Sequence, residues 1–419
     1  MSDEKSMSRS TQAATGRVDA APMAPTFTPS EHTRRWHALQ RLLRDKGLSG
    51  AVVAYSRNVL YLAGMAVHGH VVVPTEGDPV LLAQIDSGRA GALSPVPTVL
   101  TSRGVGTLVE VLADLGVADG VLGVEHDFLT IAAHGKLQGR LPRARFVDVA
   151  PDLLALRSIK SPEEVAVLER AARLSDAQLL RVREIARPGV TEVELHVELG
   201  RLQRTEGADG FSAKHGPNDR LIEHAWVVSG PHTEQVSGYW LTMTGAGPSP
   251  ARPYGPTSRV LQEGDLLCCD VGTAVAGYHV DHARSYVLGC PDDRQRRCWD
   301  ALLEMQSRAI EAAVPGRPAS DVYDAAHRVA QTLGFADHFM TRALYDVPYV
   351  GHGVGLEIDE GPLLTPDNRT VLQEGMVLAV EPKVIVPGWG GLTVEDTVVL
   401  TRYGAQRLTG VTTELELPV

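Results

Sequence analysis

The sequence predicts an α+β protein of two domains, a smaller α/β domain followed by a larger one in which helices precede strand-rich segments. Three observations carry this expectation. Helical and strand-like segments alternate up to about residue 150. Two strongly capped helices follow, opened by Ser161 and Thr191. Beyond them lie two segments that each run strand, Gly-containing turn, strand. The expected divisions are a disordered tail over 1–30, a first domain over 31–155 and a second over 156–419. A chain of 419 residues is long enough for two cores.

In order along the chain, MSDEKSMSRSTQAATGRVDAAPMAPTFTPS is polar and rich in small residues. It lacks the apolar stretch of a signal peptide and reads as disordered. Ser30 is placed to cap a helix running to Lys46, with Trp36, Leu39 and Leu43 on one face and Gly47 ending it. GAVVAY and NVLYLAG read as strands, and HVVVPTEGDPVLLAQ as a hairpin turning at Glu76-Gly77-Asp78. Ser161, Pro162 and Glu164 form an N-cap, N1 and N3 set, and Thr191 with Glu194 repeats the box. LLCCDVGTAVAGYHVDHARSYVLG predicts antiparallel strands turning around Val275-Gly277, which brings Asp270 and Asp281 together. GMVLAVEPKVIVPGWGGLTVEDTVVLT has the same build and sets Glu381 facing Glu395.

Composition excludes several function classes. A net charge of −11 argues against nonspecific nucleic-acid binding, which needs a basic surface. No stretch approaches the roughly 20 apolar residues of a membrane helix, so no membrane is expected and the cytoplasm is the expected compartment. Cys268, Cys269, Cys290 and Cys298 form no CxxC pair, which removes a zinc knuckle. The Gly/Pro-rich GAGPSPARPYGP lacks the Lys-Ser/Thr of a phosphate-binding loop.

Five residues carry the chemistry: Asp270, Asp281, His352, Glu381 and Glu395. Singly, each carboxylate reads as a turn cap or a solvated edge. Together, four carboxylates packed without a counter-charge would repel and take up protons. Two divalent cations remove that cost, and a bridging hydroxide between them becomes a nucleophile. Oxygen-rich ligation with one imidazole suits Mn, Fe, Co or Zn ions.

The motifs D-x-G…G-Y-x-x-D, GHG-x-G, EP and ED, in this order, resemble the pita-bread metallopeptidase family of methionine aminopeptidases, Xaa-Pro aminopeptidases, prolidases and creatinase. The resemblance spans residues 31–419 and implies a creatinase-type N-terminal domain before a pita-bread catalytic domain. It implies that Asp270 chelates one metal, that Asp281 and Glu395 bridge two, and that His352 and Glu381 bind the other. Glu381 would also shuttle a proton from the attacking water. Manganese is the expected metal, a homodimer the expected assembly, and a short peptide or small molecule the expected substrate.

Three positions depart from the peptidase pattern. Tyr254 stands where a His often precedes the first Asp ligand, Asp359 where a second His follows His352, and Thr393 where Arg often precedes the last Glu. Tyr254 can still donate to an oxyanion, Asp359 is an acceptor suited to a substrate ammonium or to proton abstraction, and Thr393 lacks a carboxylate clamp. His68 is a candidate substrate contact because the corresponding region reaches the neighbouring site in related dimers. His215, His224 and His232 precede Tyr254 and are candidates for the pocket wall. The leading expectation is a dinuclear hydrolase of Xaa-Pro aminopeptidase or prolidase type. The alternative is a non-peptide C–N hydrolase, as in creatinase or ectoine hydrolase, or a β-elimination lyase with Asp359 as base.

Overall fold

A computed structural model describes residues 26–216, 220–222, 225–237, 242–340 and 347–419. Residues 1–25 of the expected tail, and His224, lie outside them. Phe27 and Thr28, which fall inside the expected 1–30 tail, are held in place. Phe27 is buried edge-on against Tyr278, and Thr28 bonds to Glu163.

The first helix, Pro29–Asp45, is capped by Thr28 rather than by Ser30. Thr28 Oγ1 accepts from the amide of Glu31, and Pro29 takes the first helical position, where a missing N–H costs nothing. Gly47 follows the end of the helix at φ 67°. NVLYLAG is helical, not a strand: Ser56–Ala63 is a helix closed by Gly64 at φ 70°. Asn58, Val59, Leu62 and Ala63 are buried at the three-and-four spacing of a helix face. A short apolar run does not itself separate the two periods, and the closing Gly decides it. The hairpin at Glu76-Gly77-Asp78 forms as expected, pairing Gly69–Pro74 with Val80–Ala83.

The N-terminal sheet has six strands, in the spatial order 98–101, 80–83, 69–74, 50–53, 121–124 and 145–148. Both capping boxes form, on helices Pro162–Ile185 and Glu192–Thr205. These helices pack their apolar faces, including Leu179, Val182, Leu195 and Leu199, against Leu267, Cys269, Val271 and Tyr286 of the first long hairpin. Helices Asp293–Ala312 and Ser320–Thr332 cover another apolar layer that contains Leu378, Val380, Val384, Leu392 and Val394. The nine-stranded sheet is thus held by helices on buried faces, and its central strands bury polar residues such as His279, His282, Arg284 and Asp396 as well as the residues of the site. No helix of the described residues is long and apolar enough to cross a membrane.

The long hairpin joins Leu266–Val275 to Tyr278–Leu288 through Ala276 at φ 51° and Gly277 at φ 83°. Two successive positive φ values give the tight turn whose twist matches the flanking strands. They fix the register that places the first two acidic residues.

Candidate metal centre

Register assembles the site. Asp270 lies opposite Ala283, and Ala283 lies opposite Glu395, so a single row crosses three strands. Residues paired across strands share a face, as do residues two apart on one strand. Asp281 therefore joins that row from one step along its strand. It is opposite Gly272 rather than Asp270, so the two Asp residues meet diagonally. Glu381 follows the end of strand Val377–Val380, directly before Pro382. His352 comes from the short neighbouring strand Gly351–Gly353.

The five side chains converge. One ligand atom each of Asp281, His352 and Glu395 lies within 4.8 Å of the others. His352 Nε2 is 3.4 Å from Glu381 Oε1 and 3.9 Å from Asp281 Oδ2. The other ring nitrogen, Nδ1, is 3.1 Å from the Gly353 carbonyl and donates to it, which leaves the Nε2 lone pair facing the carboxylates. Thr242 Oγ1 donates to Asp270 Oδ2 at 2.7 Å.

Burial and the charge of neighbouring carboxylates push the carboxyls of Asp281 and Glu395 well above the ordinary range, and burial raises Asp270. Glu395 Oε1 is buried with no hydrogen-bond partner among the described residues. An orphaned acceptor among raised carboxylates, with an imidazole lone pair beside it, fits a divalent cation.

A cavity of about 390 Å³ opens onto the cluster. Its wall includes Asp270, Asp281, His352, Asp359, Glu381 and Lys214, with Trp226, Tyr349, Ile358 and Leu363 supplying apolar surface. Asp359 stands between His352 and Lys214: His352 Nε2 is 3.2 Å from its Oδ1, and Lys214 pairs with its Oδ2. Burial alone would push Asp359 up, but His352 and Lys214 hold it below the usual carboxylate range.

Other expected residues sit elsewhere. Tyr254 packs edge-on against Trp226, ring centroids 5.8 Å apart, behind the wall to which Trp226 contributes. Thr393 is fully buried, its hydroxyl donating to the Pro382 carbonyl, and it does not line the cavity. His68 is exposed on the first domain, away from its own chain's cavity. His215 joins Asp127 to Glu357, and His232 sits on Glu192.

Sequence reasoning missed Lys214 and Lys383. Lys383 is two residues past Glu381 and contacts it, a signal present in EPK. Nothing near Lys214 announced that it faces Asp359. The clamp on the Asp359 loop was also missed. Arg157 Nη2 reaches Glu357 at 2.9 Å and also pairs with Glu360, while Lys160 Nζ is 3.1 Å from Glu360.

Residues 166–402 match the model of metallopeptidase family M24, and residues 35–159 match the creatinase/prolidase N-terminal domain. A Xaa-Pro dipeptidase of Pyrococcus furiosus is 28% identical over 91% of this chain and 99% of its own length. One from Lactobacillus helveticus is 30% identical over 70% of this chain and 72% of its own. The crystal structure of dipeptidase PepE from Mycobacterium ulcerans superposes with a TM-score of 0.77 at 27% identity, covering 94% of this chain and all of that one.

Proposed function

The chain belongs to metallopeptidase family M24 and is a metal-dependent peptidase, and we propose that it cleaves short peptides with proline in second position, in the manner of a prolidase. The relatives named Xaa-Pro dipeptidase support this substrate class. The observation that carries the reading is the uncompensated cluster, above all the orphaned Glu395 Oε1 beside Asp281 and His352.

In this proposal Asp270, Asp281, His352, Glu381 and Glu395 hold two divalent ions, manganese in the first instance. When bound, such ions activate water at neutral pH and polarise an amide carbonyl. The protein's own residues do the rest. The His352 ring is oriented by its Nδ1–H bond to Gly353. Glu381 receives a proton at its carboxylate and returns it to the leaving nitrogen. Trp226, Tyr349, Ile358 and Leu363 exclude bulk water, and the cavity volume suits a peptide of two or three residues. Tyr254 is the proposed oxyanion donor, a role that requires its ring to move out from behind Trp226. His68 is a proposed contact to the neighbouring site of a homodimer, and Thr393 acts on the substrate only through the strand that it packs.

Mn²⁺-loaded protein is expected to hydrolyse Xaa-Pro dipeptides in preference to matched Xaa-Ala dipeptides. A metal-loaded protein inert across that panel would sink the reading. One observation favours a second reading: the Asp359 carboxylate lines the cavity beside Lys214 and His352. If Asp359 is a base acting on a small metabolite, Asp359→Asn abolishes turnover of a panel of N-substituted metabolites while metal content stays unchanged.

A further inference from the structure

Lys383 is a cation of the site whose position the peptidase reading does not explain. Its side chain is 1% exposed and does not line the cavity, so it is not placed to touch substrate. Its Nζ pairs with Glu381 Oε2 and lies 3.4 Å from Tyr349 Oη. The other oxygen of the same carboxylate, Oε1, is the one that faces His352 Nε2 at 3.4 Å. Glu381 is therefore divided, with one oxygen on the ammonium and one on the side of the imidazole.

Backbone register explains how the ammonium gets there. Lys383 is directly opposite Thr393, and Glu395 is two residues beyond Thr393 on the same strand. All three side chains stand on one face. Thr393 spends its hydroxyl on the Pro382 carbonyl and offers no charge. The cation of this strand pair is thus on the 383 side. Burying an ammonium is costly unless it is paired.

We propose that Lys383 is a positioning residue and the resident counter-cation of the metal centre. It holds Glu381 Oε2, leaves Oε1 directed toward His352, and by its charge would weaken the hold of the centre on a bound divalent ion. The inference rests on the metal reading above. It goes further by giving Lys383 a role at the centre, orienting Glu381 and opposing the charge of a bound ion.

The test is calorimetric titration of metal-free protein with Mn²⁺, using wild type, Lys383→Met, Lys383→Arg and the double variant Lys383→Met/Thr393→Arg. Lys383→Met tightens Mn²⁺ binding by roughly tenfold or more relative to wild type, since a unit charge a few ångström from a divalent ion has been removed. Lys383→Arg keeps the charge and stays near wild type. The double variant, which returns a cation from the opposite strand, shifts back toward wild type. Unchanged or weaker Mn²⁺ binding in a folded Lys383→Met protein overturns the inference while leaving the metal reading intact. Wild type that binds no Mn²⁺ overturns both. If Lys383→Met does not fold, a crystal structure of Mn²⁺-loaded wild type decides. Lys383 on Glu381 Oε2 with the ion on Oε1 supports the inference, and an ion on both oxygens with Lys383 swung away overturns it.

Discussion

Two buried clusters of charge lie close together in this protein and are balanced in opposite ways. Around Arg157, the carboxylates have protein cations. Glu360 is held by Arg157 and Lys160, Glu357 by Arg157, Tyr55 and His215, and Asn58 links Arg157 to Glu125. Burial alone would push Glu360 up, yet Arg157 and Lys160 bring it down to about 2. At the metal centre, Asp270, Asp281 and Glu395 are pushed up by burial and mutual repulsion, with Lys383 as the buried ammonium among them. The first cluster gives Glu357 and Glu360 a protein cation each and joins the N-terminal domain to the loop that carries Asp359. The second is short of positive charge and is finished by something bound. Carboxylates that are buried and paired hold structure together, whereas carboxylates that are buried and unpaired mark where a ligand goes.

The contrast can be broken most severely at Arg157. Arg157→Met leaves Glu357 and Glu360 buried without their shared partner, and the expected loss of stability is about 3–5 kcal/mol. Urea unfolding of metal-free protein measures it. A loss below 1 kcal/mol would mean that the cluster is not an essential clamp.

Acid acts on the same cluster. The folded-state pKa of Glu360 is depressed from 4.5 to about 2. Its contribution is therefore fully present above 4.5 and is lost as pH falls from 4.5 through about 2. The amount is about 3 kcal/mol, and Glu360→Gln should flatten that part of the stability–pH curve.

The metal centre should respond with the opposite sign. In chelator-treated protein near neutral pH, Glu395→Gln removes a repelled, unpartnered carboxylate. It should raise stability, by at most about 1.4 kcal/mol for each pH unit by which the solution lies above the ordinary carboxylate pKa. A loss of stability in that variant would show Glu395 to be as well compensated as Glu360.

How much of this was legible in the sequence follows from the same physics. The five converging residues were legible because each sits in a local motif that fixes its strand and face. Both capping boxes were legible because their partners are three residues apart. The helix at Ser56–Ala63 was misread because a short apolar run fits either period. Thr28 was passed over for Ser30 although Pro29 marks the first helical turn. The Arg157 clamp was invisible, since its partners are 200 and 203 positions away. The diagonal offset of Asp270 and Asp281 depends on a turn of two residues at positive φ, Ala276 and Gly277, rather than on the wider turn expected.

The central claim is that the unbalanced cluster, and not the balanced one, binds divalent metal. Equilibrium dialysis against Mn²⁺ followed by elemental analysis tests it most directly. Stoichiometric metal is expected in wild type and in Glu360→Gln, and loss of metal in Asp281→Asn and Glu395→Gln. Wild-type protein without stoichiometric metal, or a Glu395→Gln variant that retains it in full, would contradict the account.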